Sequence, residues 1–137
     1  QHRKHDIEFN LTKMLQTEGE TGPYIQYTCA RAYSILRKAD SNLHDVQVKD
    51  VNDHEWVMIK LLNQFPSIVS RATTSLDPSL IAKFAVDLAQ SFNSFYGNVQ
   101  VLNEDEGRNY RLVLVHSVTI VLKEALRLLG MKAPQEM

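Results

Sequence analysis

The amino-acid sequence predicts an all-α fold, a compact bundle of about five helices. Apolar residues recur at alternating three- and four-residue steps in several separate segments, which is the spacing of one helical face. Residues that cap or break helices stand between these segments, and no two stretches alternate strongly enough to pair as strands. The chain has 137 residues, 44% of them hydrophobic, which is enough for one domain with its own core.

A polar break separates the first two predicted helices. Asp6 can cap a short helix that ends at about Leu15. Its apolar face consists of Ile7, Leu11, Met14 and Leu15. After the break at residues 18–22, Thr21 and Pro23 suit the start of a second helix. The Thr21 hydroxyl can accept from a backbone N–H of the first turn, and the N–H that Pro23 lacks would have no helical partner at that position. This helix is predicted to run from Pro23 to about Ala39.

A loop and two further helices are predicted in the middle of the chain. Residues 43–51 alternate weakly and are predicted as a short extended piece without a partner strand. Asp53 is expected to cap a third helix, which Pro66 should kink or restart, because proline lacks an N–H and clashes with the preceding turn. Asp77, followed by a proline, opens a fourth helix, and Gly97 is placed to end it.

The last helix, predicted over residues 109–129, is expected to be the central and most buried element. Its first half is apolar on nearly every side, which indicates that other helices surround it. Leu122 lies in its apolar stripe and is expected to be fully buried. Gly130 closes the helix, and a proline keeps the tail that ends at Met137 from continuing as helix.

The composition excludes several classes of protein. A net charge of −1 gives no overall basic field, so any contact with nucleic acid must be local. Cys29 is the single cysteine, which leaves no internal disulfide and favours a reducing, cytoplasmic setting. No apolar run approaches the roughly 20 residues that cross a bilayer, so no membrane partner is expected. Neither a metal-binding cluster nor a glycine-rich nucleotide loop can be identified.

One face of the second helix carries the strongest functional signal. At about 100° per residue, Tyr24, Tyr27, Arg31, Ser34 and Lys38 share this face, whereas Ile25, Cys29, Ala32 and Leu36 form an apolar face. Aromatic rings stack on unpaired bases and cations meet phosphates, so the first face suits single-stranded RNA. In a purely structural interpretation, the tyrosines are half-buried and Arg31 pairs with Glu20 or Asp105.

The start of this helix also forms a recognisable motif. It consists of Thr21-Gly22-Pro23-Tyr24-Ile25-Gln26-Tyr27, followed by Ala30-Arg31. This motif resembles the opening of the DALR-type anticodon-binding domain of arginyl-tRNA synthetases. The resemblance continues through Ser94-Phe95-Tyr96, Arg111-Leu112, Leu128-Leu129-Gly130 and Ala133-Pro134 to a final methionine. It divides the chain into a lead-in helix from a preceding synthetase region, residues 1–20, and the domain itself, residues 21–137.

The resemblance implies a fold of the class I synthetase anticodon-binding type and a domain that binds the anticodon stem and loop of arginine tRNA. Its partners would be this tRNA and a catalytic domain that arginylates it with ATP and magnesium. In the family, the positions that match Tyr24, Tyr27, Arg31, Tyr96 and Met137 line the anticodon pocket. The start at Gln1 without methionine suggests a C-terminal domain cut from a longer protein.

Three departures from the family pattern affect the expected RNA contacts. Thr28-Cys29 stands where many members have Ala-His, and Gln100 and Glu136 stand where arginine is frequent. The last two remove positive charge, so binding should depend more on stacking than on phosphate neutralisation. Two alternatives remain open: the anticodon-binding domain of another synthetase, such as the glycyl-tRNA synthetase β subunit, and a helical protein-interaction module that docks through its tyrosines.

We predict that the isolated chain does not arginylate tRNA. The HIGH-type and KMSKS-type signatures that bind and activate ATP are not in these 137 residues, and no acid/base or nucleophile constellation replaces them, so neither a cofactor nor a catalytic residue is expected. Aminoacylation and arginine-dependent pyrophosphate exchange measure this, with a full-length arginyl-tRNA synthetase as positive control. Turnover by a preparation free of contaminating synthetase would refute the prediction.

Overall fold

The computed structural model describes residues 10–39, 46, 48 and 50–137, and these residues form five α-helices. The helices are α1 (Leu11–Met14), α2 (Gly22–Ala39), α3 (Asp53–Ser75), α4 (Ser79–Asn98) and α5 (Arg108–Leu128). No strand occurs among the described residues, and the all-α prediction is confirmed. The predicted helix start at Asp6 lies outside the described residues, as does much of the extended piece predicted at 43–51.

Side-chain hydrogen bonds mark the starts of four helices, and at α1 the side chain of Asn10 accepts from the backbone N–H of Lys13 at 3.1 Å. The hydroxyl of Thr21 accepts from the backbone N–H of Tyr24 at 3.2 Å, as the sequence predicts for α2. The prediction that Asp53 caps α3 was wrong by one residue, because Asn52 and Glu55 form a capping box in which each side chain accepts from the other's backbone N–H at 3.0 Å. At α4 the carboxylate of Asp77 accepts from the Ser79 N–H at 3.1 Å.

Pro66 lies inside α3, which continues to Ser75, so the predicted alternative of a restart was wrong, while a kink at this proline stays a prediction. Packing on both sides of Pro66 explains why the helix survives the loss of one N–H donor. The ring of Phe65 lies 5.2 Å from the ring of Phe84, centroid to centroid, and Ala72 is buried in the same core. Tertiary packing here outweighs a local preference.

The core forms around α5, which packs against α2, α3 and α4. Its fully buried side chains include Leu112, Val115, Val118, Leu122 and Leu126. The predicted burial of Leu122 is therefore confirmed, whereas α5 shares its central position with α4, which packs against α2, α3 and α5. The apolar surface of α5 is not enclosed all round, since Ile120 is 55% exposed. Among the described helices, none is long and apolar enough to cross a membrane.

Arg111 organises the loop between α4 and α5 from a buried position at the start of α5. Its Nη2 donates to the carbonyl of Asn103 at 2.9 Å, and its Nη1 donates to the carboxylate of Asp105 at 2.9 Å. The hydrogen bond from Arg111 is the main reason why the pKa of Asp105 is lowered. Asp105 is thus a structural partner of Arg111 and not of Arg31.

After α5 the chain reverses and returns along α2. Gly130 adopts a left-handed conformation with φ of 72°, and the N–H of Met131 donates to the carbonyl of Leu126 at 2.8 Å. A β-carbon added at Gly22 would lie 2.7 Å from the terminal methyl of Met131, so the Met131 side chain packs closely against the start of α2. The tail that follows Met131 therefore lies beside α2.

We predict that Leu122→Ala lowers the free energy of unfolding by about 2 to 5 kcal/mol, because it opens a cavity in the fully buried centre of α5. Denaturant unfolding measures the change. Ile120→Ala on the same helix is the matched control and should shift stability by no more than about 0.5 kcal/mol, since Ile120 is largely exposed. Equal effects of the two substitutions would contradict the central position of α5.

We also predict that Cys29 makes stability fall at high pH. Burial raises the pKa of this thiol from 9.0 to about 11. The thiol of the unfolded chain therefore ionises first, so its contribution to stability is complete below about pH 9 and is lost as the pH rises to about 11. The free energy of unfolding of the Cys29→Ala variant should fall less steeply over this range. If the free energies of unfolding of the variant and of the unchanged chain fall equally over this range, the raised pKa of Cys29 is contradicted.

Candidate nucleic-acid interface

α2 separates an apolar side from the side that was predicted to meet RNA. Ile25, Cys29 and Ala32 are buried against the core, as predicted, while Leu36 of the same set is only half-buried. On the other side Tyr27 is 39% exposed and Arg31 is half-buried. Tyr24 is not exposed as the sequence suggested, because its ring packs partly against the core.

Arg31 lies between two tyrosine rings from different helices. Its guanidinium carbon is 4.9 Å from the ring centroid of Tyr27 on α2 and 5.3 Å from that of Tyr96 on α4. Its Nη1 donates to the side-chain carbonyl of Asn93 at 2.7 Å. Arg31 thus makes these contacts in place of the ion pair with Glu20 or Asp105 that the structural interpretation suggested. Tyr96 points off the core as predicted and is 44% exposed.

Asn93 connects the cluster of Tyr27, Arg31 and Tyr96 to Tyr24, and it was not predicted as a site residue. Its amide nitrogen donates to the hydroxyl of Tyr24 at 3.0 Å and to the hydroxyl of Thr28 at 2.9 Å. Thr28 in turn donates to the backbone carbonyl of Tyr24 at 2.9 Å. The sequence offered one signal for Asn93, an amide side chain that directly follows the core residue Phe92. A polar group so close to the core needs hydrogen-bond partners.

A cavity of about 410 Å³ opens between α2 and the chain terminus. Tyr27, Arg31, Ser34, Arg37, Glu136 and Met137 contribute to its lining. Three of the five predicted site residues, Tyr27, Arg31 and Met137, therefore meet in one cavity. Tyr96 does not line the cavity but contacts Arg31, and Tyr24 is linked to Arg31 through Asn93.

Two polar residues of α2 hold the tail that forms one wall of this cavity. The side-chain amide of Gln26 donates to the carbonyl of Lys132 at 2.8 Å, and Nη1 of Arg37 donates to the carbonyl of Gln135 at 2.9 Å. Nη2 of Arg37 also lies 3.5 Å from a carboxylate oxygen of Glu136. Neither Gln26 nor Arg37 was predicted as a site residue, because their partners lie about a hundred residues away in the sequence.

The charges around the cavity are few and partly balanced. Arg31 and Arg37 supply two positive charges, and Glu136 supplies one negative charge beside Arg37. The side chains that line the cavity therefore carry one net positive charge, although the side chains of the whole chain sum to −1. Exposed aromatic surface and a small excess of positive charge are the features that bind single-stranded nucleic acid. Within the part of the chain that the structure describes, no group of His, Cys, Asp or Glu side chains could hold a metal ion.

Known proteins resemble this chain in sequence. The family profile of the DALR anticodon binding domain matches residues 25–137. Arginine–tRNA ligase 2 of Bacillus anthracis is 53% identical over 135 residues, and the arginine–tRNA ligase of Lactiplantibacillus plantarum is 52% identical over 136 residues. Each of these alignments covers 98% of this chain and 24% of the relative. The chain thus spans about a quarter of the length of the curated relatives it matches.

Solved structures agree with the sequence relatives. Thermus thermophilus arginyl-tRNA synthetase superposes with a TM-score of 0.91 at 37% identity, over 98% of this chain and 24% of that one. The arginyl-tRNA synthetase of Plasmodium falciparum superposes with a TM-score of 0.87 at 32% identity, over 100% of this chain and 25% of that one. The predicted resemblance is confirmed, and the chain belongs to the DALR anticodon-binding domain family.

Proposed function

We propose that the chain binds the anticodon stem-loop of arginine tRNA and belongs to an arginine–tRNA ligase. The observation that carries this proposal is the meeting of Tyr27, Arg31 and Met137 at one open cavity. Bases of an anticodon loop are unpaired and can leave the stack, so a cavity with an exposed ring and a guanidinium can take them. Its volume of about 410 Å³ lies within the ~300–1,000 Å³ range of ligand pockets.

The five site residues act in three different ways in this proposal. Tyr27 and Tyr96 stack on loop bases with the ring surface that Arg31 leaves open, and Arg31 contacts a base edge or the backbone. Tyr24 acts through its hydroxyl, because its ring is partly packed against the core. Met137, 64% exposed at the cavity, closes one side of it.

Arginylation itself would take place in a catalytic domain outside these residues. We propose that this domain uses ATP and magnesium, and that the present chain positions the tRNA for it. The curated relatives, which are named arginine–tRNA ligases and are about four times as long, support this division of labour. We further propose a cytoplasmic setting, which the buried free thiol of Cys29 favours.

We predict that Tyr27→Ala weakens binding of an arginine anticodon stem-loop by about tenfold or more, because stacking contributes roughly 1 to 3 kcal/mol per base. Tyr27→Phe should keep most of the affinity, since it retains the ring. Stability should change little, because Tyr27 lies outside the buried core. Fluorescence anisotropy with a labelled stem-loop measures the affinity, and thermal unfolding measures the stability.

Two controls make this test specific. A stem-loop with the same stem and a scrambled loop should bind more weakly to the unchanged chain. Trp56→Ala, which removes an exposed ring that does not line the cavity, should bind the arginine stem-loop as the unchanged chain does. Normal binding by Tyr27→Ala, or no preference between the two loops, would favour the protein-interaction module.

A further inference from the structure

We infer that Asn93 is a positioning residue of the RNA-binding cavity: its amide holds Arg31 between Tyr27 and Tyr96 and leaves the hydroxyl hydrogen of Tyr24 free to donate. The expected effect of Asn93 on RNA binding rests on the proposed function. Its expected effect on the position of Arg31 does not. Asn93 lies on α4 and its partners lie on α2, so one side chain joins the two helices that carry the tyrosines.

The partners of Asn93 allow one orientation of its amide. Arg31 has only donors, so the oxygen of the amide must face its guanidinium, at 2.7 Å. Thr28 donates its one hydroxyl hydrogen to the backbone carbonyl of Tyr24, so its oxygen must accept from the amide nitrogen of Asn93, at 2.9 Å. The second N–H of the amide donates to the hydroxyl of Tyr24 at 3.0 Å. Every polar atom of the Asn93 side chain is thus engaged.

This arrangement defines which hydrogens remain for a ligand. The hydroxyl of Tyr24 accepts from Asn93, so its own hydrogen is available to an acceptor on the RNA. Arg31 gives one N–H to Asn93 and keeps its other donors. The cluster therefore offers donors at defined places, which suits phosphate oxygens and the acceptor atoms of base edges.

Holding Arg31 in place before RNA arrives also lowers the entropic cost of binding. A free arginine side chain loses much of its rotamer freedom when it is immobilised in a complex. Asn93 sits on a rigid base, because the neighbouring Phe92 and the partner Thr28 are both fully buried. Two exposed rings and one hydrogen bond are thus enough to preorganise the guanidinium.

The first test of this inference needs no RNA. A guanidinium within about 5 Å of two ring centroids experiences ring currents, so the NMR signals of the Arg31 side chain should differ from those of a solvent-exposed arginine. In Asn93→Ala these signals should move towards the exposed values. The matched control Asn63→Ala, at an exposed position of α3, should leave them unchanged. Unchanged Arg31 signals in Asn93→Ala would overturn the positioning role.

The second test measures the coupling between Asn93 and Arg31 in stem-loop binding. Asn93→Ala and Arg31→Ala should each weaken binding by about tenfold, and the double variant by about tenfold as well, because contacting residues that act together are not additive. A merely structural Asn93 would give losses that multiply to about a hundredfold. Multiplicative losses, or normal binding by Asn93→Ala, would overturn the inference.

The variant Asn93→Asp adds a readout of charge. It keeps an acceptor for Arg31 but places a negative charge beside it, so the slope of log K against log salt should become shallower by about 0.7. An unchanged slope would overturn a contact between Arg31 and an RNA phosphate. If the unchanged chain binds the arginine stem-loop and the scrambled stem-loop equally, the proposed function fails. The NMR comparison of Asn93→Ala with Asn63→Ala still decides whether Asn93 positions Arg31.

Discussion

Burial of one side of α2 against α5 and α4 is the constraint on which the rest of the structure depends. Ile25, Cys29 and Ala32 are buried in the core, and the spacing of a helix then places Tyr27 and Arg31 on the outside. Because α5 packs against α2, α3 and α4, a large part of the hydrophobic core holds α2 in this orientation. The site is therefore a consequence of how the core packs.

The candidate site needs two further pieces besides α2, and both come from distant parts of the chain. The tail after Gly130 supplies one wall, which Gln26 and Arg37 hold against α2. α4 supplies Tyr96 and Asn93, which fix Arg31 from the other side. Each contact is weak by itself, since exposed polar pairs contribute little to stability. Together the contacts bring α2, α4 and the tail to one site around the guanidinium of Arg31.

Local patterns predicted the elements well and the contacts less well. Capping residues and apolar spacing were enough for the all-α fold, the start of α2 and the burial of Leu122. Pro66 misled the prediction because tertiary packing outweighs a local break. Asn93 and Arg37 were missed because their partners lie on other segments. The position of Asn93 beside the core residue Phe92 indicates that its amide needs partners but does not identify them.

The departures from the family pattern have a structural setting that the sequence alone did not reveal. Thr28 is fully buried and serves as a hydrogen-bond partner of Asn93, and Cys29 fills the core beside it. Glu136 faces Arg37 at the rim of the cavity and reduces its positive charge. Of these contacts, the one between Glu136 and Arg37 supports the proposal that stacking contributes more than phosphate neutralisation at this surface.

The most direct test of this account is an NMR titration of the chain with an arginine anticodon stem-loop. Chemical-shift changes should concentrate at Tyr27, Arg31, Ser34, Arg37 and the terminal residues 135–137, which surround the cavity between α2 and the tail. The separate cavity between α3 and α4, lined by Leu61, Arg71 and Lys83, should show none. Changes centred on the α3–α4 surface, with the α2 face unaffected, would contradict the central claim.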